Sequence, residues 1–164
     1  MRPLPAAKPA TLIVTRGLPG SGKTTWARYQ LASISAGALV RVNRDDLRQM
    51  MLRTDYRKPV RTQEQWVSIL RDTALRELLG AGISVIVDDT NLNPTHVQRM
   101  FTIARSVGAT WRVQDFLHVP VDLCVLRDHF RDGTARVGKS VILDMHTNFI
   151  APLNGEPMPI PEPE

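Results

Sequence analysis

The stretch Thr11-Leu12-Ile13-Val14-Thr15-Arg16-Gly17-Leu18-Pro19-Gly20-Ser21-Gly22-Lys23-Thr24-Thr25 decides the fold. Its apolar start has the composition of a buried strand. The residues from about Lys23 onward place Ala27, Leu31 and Ile34 on one face of a helix. Between strand and helix, Gly17 to Thr24 satisfies G-x-x-x-x-G-K-[ST] at every position, in the strand–loop–helix context that the pattern needs. Glycines let backbone N–H groups turn inward and approach phosphate oxygens closely. The helix N-terminus adds positive potential. Gly17, Gly20, Ser21, Gly22, Lys23, Thr24 and Thr25 are therefore the candidate ATP-binding residues. Lys23 is placed to reach the β- and γ-phosphates, and the Thr24 hydroxyl to ligate Mg²⁺. Trp26 is assigned to the core rather than to the nucleotide.

Outward from this loop, strands alternate with amphipathic helices. The second strand is ALVRV, ending before Asn43, and a charged loop covers 52–61. Thr62-Gln63-Glu64-Gln65 has the form of a capping box, opening a helix that buries Val67, Leu70, Ala74 and Leu78 and stops at Gly80. ISVIV reads as a strand buried on both faces. Asn93 and Pro94 open a helix that ends at Gly108. A strand around Trp111–Val119 and a helix around Asp122–Arg131 follow. The loop Asp132–Val137 has the look of a mobile lid, and a last helix carries Val141, Met145 and Phe149. This alternation predicts an α/β fold of three layers, a parallel sheet between helices, of the P-loop NTPase/kinase type. Ligands bind such sheets at the carboxyl ends of the strands.

The chain has 164 residues, enough for one domain, expected over 11–150. Residues 1–10 and the proline-rich run 151–164 read as extended tails that pack no core. Net charge is +5 and the isoelectric point about 10.0. That balance suits a phosphate-rich partner, although solvated lysines and arginines give the same total. Cys124 is the lone cysteine, so no internal disulfide forms, and the four histidines lie too far apart in sequence for a zinc pattern. With no signal-peptide core and no membrane-length apolar run, a cytoplasmic protein is expected. Oligomeric state is open.

Two acidic pairs follow strands. Asp45 or Asp46 could accept a proton from an attacking hydroxyl, while Asn43 or Asp45 could equally cap the next helix. Asp88 and Asp89 end the buried strand where an acid holds Mg²⁺ directly or through water, with turn chemistry the rival reading. Arg127 and Arg131, four apart on a predicted helix, could close over transferring phosphate oxygens; a solvated face paired with Asp128 and Asp132 is the alternative.

Together these segments resemble the kinase domain of the bacteriophage polynucleotide 5′-kinase family, from about Thr11 to Phe149. The resemblance rests on Gly17–Thr25 with Trp26-Ala27-Arg28, on Asn43-Arg44-Asp45-Asp46 with Arg48, and on Asp89-Thr90-Asn91-Leu92-Asn93-Pro94. It implies Asp45 as general base, Arg48 as ligand of the acceptor's phosphate, Thr90 on the acceptor side and Asp89 as the acid after the third strand. It also implies catalytic Lys23, Arg127 and Arg131, with Arg136 as the alternative because Asp132 intervenes where the family has glycine. ATP and Mg²⁺ would be cofactors, and 5′-hydroxyl ends of DNA or RNA the acceptors. No D-x-D string occurs, so a kinase without the family's phosphatase domain is expected. A small-molecule kinase acting on a sugar, nucleoside or antibiotic would share the same phosphate-handling residues.

Overall fold

Val85, Ile86 and Val87 are consecutive and all fully buried, which a strand achieves only when both sheet faces are covered. The computed structural model describes residues 9–34, 37–52 and 60–164 and shows that cover. Four parallel strands, β1 (Thr11–Arg16), β2 (Leu39–Val42), β3 (Ser84–Val87) and β4 (Thr110–Asp115), lie in the order β2-β3-β1-β4. Leu12 is in register with Val85 on one side and Trp111 on the other. The helices are α1 (Lys23–Ser33), α2 (Arg44–Met51), α3 (Arg61–Gly80), α4 (Pro94–Ser106), α5 (Val121–His129) and α6 (Lys139–Met145).

The alternation of side chains along β1 sorts the core into layers. Leu12 and Val14 join Val85 and Val87 against Leu75, Leu79, Val97, Met100, Phe101 and Ala104 of α3 and α4. Ile13 and Ile86 face the other way, onto Ala27 of α1, with Trp26 and Leu31 partly buried beside them. A third cluster of Leu18, Leu92, Cys124 and Ile142 sits under the loop after β1. The three-layer α/β fold expected from sequence is the fold observed. Because β1 lies inside β3, the chain leaves β1 past β3 to reach β2, and later passes β1 to reach β4. The crevice at the carboxyl ends of β1 and β3 is thereby left open to a ligand.

Several local expectations are corrected. Helix α3 starts at Arg61, and Gln63 Oε1 accepts from the Val60 N–H at 3.0 Å, so the proposed box from Thr62 does not form. Its buried stripe runs through Val67, Leu75 and Leu79, while Leu70 is only partly buried. Strand β4 ends at Asp115 and α5 at His129, so Arg131 lies beyond the helix. In α6 the buried residue is Ile142; Val141 is exposed. Most of the proposed charged loop, residues 53–59, lies outside the described residues, as do residues 1–8 of the N-terminal tail.

The largest correction concerns the ends. Ala10 is buried in the main core, and its carbonyl accepts from Thr110 N at 2.9 Å. The proline-rich run opens with a 3-10 helix, Ala151–Leu153, and a turn; only beyond Gly155 is it extended, and there it is docked. Met158 packs against the third cluster. Arg16, 2% exposed, donates to both carboxylate oxygens of Asp115 at 2.6 and 2.8 Å, and to the carbonyls of Met158 and Pro159 at 2.9 Å. A buried guanidinium needs most of its N–H groups paired. Proline-rich backbone supplies those acceptors because its carbonyls have no helix or sheet partner. Arg16→Met should therefore loosen the segment beyond Leu153. A glutamate-specific protease should then cut at Glu156 and Glu162 several-fold faster than in the wild type, read by mass spectrometry; equal cutting would show that Arg16 does not hold the strap.

Candidate active site

The loop from Gly17 to Gly22 closes onto its own lysine. Lys23 Nζ donates to the carbonyls of Gly17 at 2.9 Å and Leu18 at 2.7 Å, with Ser21 Oγ at 3.4 Å. Burial pushes this ammonium down to about 8, against the opposing pull of Asp88. Gly20 has φ 84°, and a Cβ there would lie 2.4 Å from the carbonyl oxygen of Cys124, so α5 packs directly on bare backbone. Gly22 precedes the helix at φ 100°. Thr24 is half-buried, and its hydroxyl has no partner among the described residues; Thr25 is exposed.

The arginines proposed from sequence meet this cradle. Gly20, Gly22, Thr25 and Trp26 form an open cleft of about 680 Å³ with Tyr29, Arg127 and Arg131. Arg127 Nη1 donates to Gly20 O at 3.3 Å. Arg131 donates to Ala135 O at 3.4 Å and lies 3.5 Å from Asp128. Arg136 instead pairs with His129 Nδ1 at 2.9 Å. Asp128, 1% exposed, fastens the loop after α5 by accepting from Val137 N and Gly138 N at 3.0 and 2.8 Å. Trp26 is both things at once: half-buried against Phe116, edge-on at 6.1 Å, and a wall of the cleft.

At the start of α2, the structure separates the residue that caps the helix from the acids that follow it. Asn43 caps α2, accepting from Asp45 N and Asp46 N at 3.0 and 3.1 Å. The Asp45 carboxylate is left 69% exposed and accepts from Arg48 Nη1 at 2.5 Å. Glu64 of α3 holds the rest of Arg48, through Nε at 2.5 Å and Nη2 at 2.9 Å, and also binds Arg44. These arginines, Arg48 first, keep the Glu64 carboxyl below its usual range. Asp46 pairs with Arg41, whose Nε reaches Asp88 Oδ2 at 2.7 Å.

The two acids after β3 divide their work. Asp89 Oδ1 accepts from Arg44 N at 2.9 Å and from Asn43 Nδ2 at 3.2 Å, so it ties the start of α2 to β3. Its Oδ2 is buried without a partner among the described residues, and burial raises its carboxyl to about 6. Asp88 is 2% exposed and also leaves one oxygen, Oδ1, unpartnered among the described residues. Thr90 is held by its backbone, whose carbonyl accepts from Gly17 N at 3.0 Å.

Arg41, Glu64, Asn91 and Asp128 do structural work at the site that the sequence reading left out. Arg41 carried a signal, an arginine within an apolar strand. Asn91 carried another, since asparagine tolerates the left-handed φ of 46° that it adopts here. Glu64 and Asp128 looked like ordinary helix charges.

A family model described as AAA domain matches residues 12–152. The chain belongs to the AAA domain family. It is 32% identical, over 93% of its length, to a protein of Autographa californica nuclear polyhedrosis virus assigned as a bifunctional polynucleotide kinase/RNA ligase. It covers only 22% of that relative. It also superposes on a chain of the Pnkp1/Rnl/Hen1 RNA repair complex with a TM-score of 0.75 and 27% identity, over 94% of this chain and 50% of that one. A gluconokinase from Sinorhizobium meliloti 1021 shares the fold, at TM-score 0.58 and 19% identity over 90% and 78% of the two chains. The resemblance to polynucleotide kinases read from the Asn43–Arg48 and Asp89–Pro94 strings is borne out. Among the described residues, no helix is long and apolar enough to cross a membrane.

Lys23 titrates in a measurable way. Folded, it binds fewer protons than when unfolded between about pH 8 and its ordinary 10.5. The cost of burying the charged ammonium is thus complete below about pH 8 and is relieved as pH rises through that window. The stability difference between wild type and Lys23→Met, from urea midpoints, should move in the wild type's favour between about pH 8 and 10.5. A constant difference would place the ammonium in water.

Proposed function

We propose that the protein transfers the γ-phosphoryl group of ATP to the 5′-hydroxyl end of DNA or RNA. One observation carries this reading: the start of α2, tied to Asp89 whose charge acts on Lys23, presents an exposed carboxylate, Asp45, beside an oriented guanidinium, Arg48. A switch that only binds nucleotide gains nothing from such a pair.

In the proposed reaction the 5′-oxygen forms a bond to the γ-phosphorus as the bond from that phosphorus to the β–γ bridging oxygen breaks. The hydroxyl proton passes to the Asp45 carboxylate, and ADP leaves. For this the Asp45–Arg48 contact must yield to substrate. The guanidinium turns to the acceptor's phosphate, still held on its other edge by Glu64. Lys23 exchanges loop carbonyls for β- and γ-phosphate oxygens. Arg127 and Arg131 add charge on the opposite side of the cleft, where the equatorial oxygens become more negative.

The residues present also fit a Mg²⁺ ion carried in with the nucleotide. The Thr24 hydroxyl is uncommitted among the described residues, and Asp88 Oδ1 is a buried carboxylate oxygen without a donor. Among the described residues no three acids, histidines or cysteines cluster as a site of their own, so phosphate and water would complete the oxygen shell. The ion would supply charge neutralisation across the β- and γ-phosphates.

The test uses labelled ATP, Mg²⁺ and matched oligonucleotides with 5′-hydroxyl or 5′-phosphate ends. Label should enter the hydroxyl strand alone. Transfer to small hydroxyl compounds but to no oligonucleotide would replace this reading with that of a small-molecule kinase. Asp45→Asn should lower kcat by ~10²–10⁴ with little change in ATP affinity. Asp46→Asn should be milder, since Arg41 engages Asp46. Equal small losses would return Asp45 to a structural role.

The lid assignment has its own outcome. Arg127→Ala and Arg131→Ala should each lower kcat at saturating substrates, and lysine should restore little because a point charge cannot replace the planar fork. Arg136→Ala should retain activity. Collapse in Arg136→Ala alone would move the contact along the loop.

A further inference from the structure

We infer that the proline-rich segment beyond Gly155 is a positioning element of the phosphate loop. Docked, it holds the loop ready for nucleotide; detached, it lets nucleotide affinity fall. The inference rests on reading Gly17–Thr24 as the nucleotide site and holds whichever acceptor is used. Both neighbours of Gly17 are committed to this segment or to the cluster that it packs on. On one side, Arg16 donates to the carbonyls of Met158 and Pro159 at 2.9 Å. On the other, the Leu18 side chain is 2% exposed and lies in the third cluster, against which Met158 packs. The buried members of that cluster come from four places: Leu18 of the loop, Leu92 after β3, Cys124 of α5 and Ile142 of α6.

The loop needs this support because its own bonds change when nucleotide arrives. Lys23 Nζ clasps the carbonyls of Gly17 and Leu18, and Ser21 N donates to Leu18 O at 3.2 Å. A lysine that turns to phosphate oxygens gives up both carbonyls. Leu18 is then held by the packing of its side chain and by the Arg16 anchor before it. Loosening the cluster frees the loop to adopt arrangements that bind phosphate poorly. Apparent affinity falls with the fraction of protein that remains competent.

The segment is also built to dock and undock. Proline stands at positions 157, 159, 161 and 163, which fixes φ at every second residue. A chain already restricted in this way loses little freedom on docking, so few contacts suffice. Its far end is tied to α4, where Arg105 Nη1 donates to Pro163 O at 3.2 Å and Glu164 N to Thr102 Oγ1 at 3.0 Å. Between the two anchors, Ile160 is 55% exposed and joins none of the core clusters. Segments held by a few partly exposed contacts open at far lower cost than the whole fold. Such an opening is linked to binding reciprocally. If the docked segment favours nucleotide, nucleotide favours the docked segment by the same factor.

The test cuts the wild type with a glutamate-specific protease, with and without saturating ADP and Mg²⁺, and follows the products by mass spectrometry. Cutting at Glu162 reports the segment; cutting at Glu77, inside α3, reports opening of the fold. ADP should slow cutting at Glu162 about fivefold more than at Glu77, the low end of usual coupling factors. By titration calorimetry, Met158→Ser should raise the Kd for ADP about fivefold, while Ile160→Ser should leave it unchanged. The protection measurement uses the unaltered chain, so it decides the matter even if Met158→Ser is unstable. ADP binding with no extra protection at Glu162, or a folded Met158→Ser with wild-type affinity, overturns the inference. Wild type that binds no ADP overturns the nucleotide-site reading, and the inference with it. Wild type that binds ADP and shows the protection, yet phosphorylates no strand, overturns the acceptor reading alone.

Discussion

The carboxyl ends of β1 and β3 are stitched together by a few hydrogen bonds, and the rest of the site depends on that seam. Asn91 Nδ2 donates to Thr15 O at 2.8 Å, and Gly17 N donates to Thr90 O at 3.0 Å. Thr15 Oγ1 adds contacts to the carbonyls of Val87 and Asp89 at 3.2 and 3.3 Å. Each such bond is worth about 1 kcal/mol net, but leaving a buried backbone group without its partner costs more. The seam holds the phosphate loop on β1 and the acids after β3 in one frame. A shift of either strand would move the donor side relative to the acceptor side.

From that seam, charge pairs carry the geometry outward. Asp89 reaches the first backbone N–H of α2, Asn43 bonds back to Asp89, and Arg41 links Asp88 to Asp46. Glu64 then holds Arg44 and Arg48 from α3. Glu64 sits between two arginines and Arg41 between two acids, and most of these pairs are only partly exposed, so desolvation offsets much of their attraction. Their effect lies in orientation more than in stability. The oxygens left over, Asp88 Oδ1 and Asp89 Oδ2, are buried and lack donors among the described residues, an arrangement retained where a site needs it.

The same economy explains the docked proline-rich segment. Arg16 ends the central strand, buried at the level of the phosphate loop, and its charge needs acceptors that the sheet cannot provide. Asp115 in the neighbouring strand and two carbonyls beyond Leu153 provide them. Proline composition predicted an extended backbone, which the structure has only beyond Gly155. It said nothing of docking, because the acceptors are main-chain atoms whose use depends on a partner 142 residues away in sequence.

Local pattern determined the fold class, the phosphate loop and the positions of the acids after β2 and β3. These depend on residues adjacent in the chain: periodicity, glycine φ freedom and helix capping act within a few residues. The caps show the limit of that reading, since Asn43 could be recognised as a candidate but Gln63 works on Val60, two residues earlier than the Thr62 box. Glu64, Arg41 and Asp128 were not legible as site residues, because their partners come from other elements and only packing brings the elements together. Arg131 lies outside the helix that sequence placed it on, yet reaches the cleft because Asp128 pins the following loop. Tertiary structure alone decided which acid acts on Lys23 and which buried oxygens remain unpartnered among the described residues. Those outcomes follow from distances between segments far apart in the chain, and no local propensity encodes them.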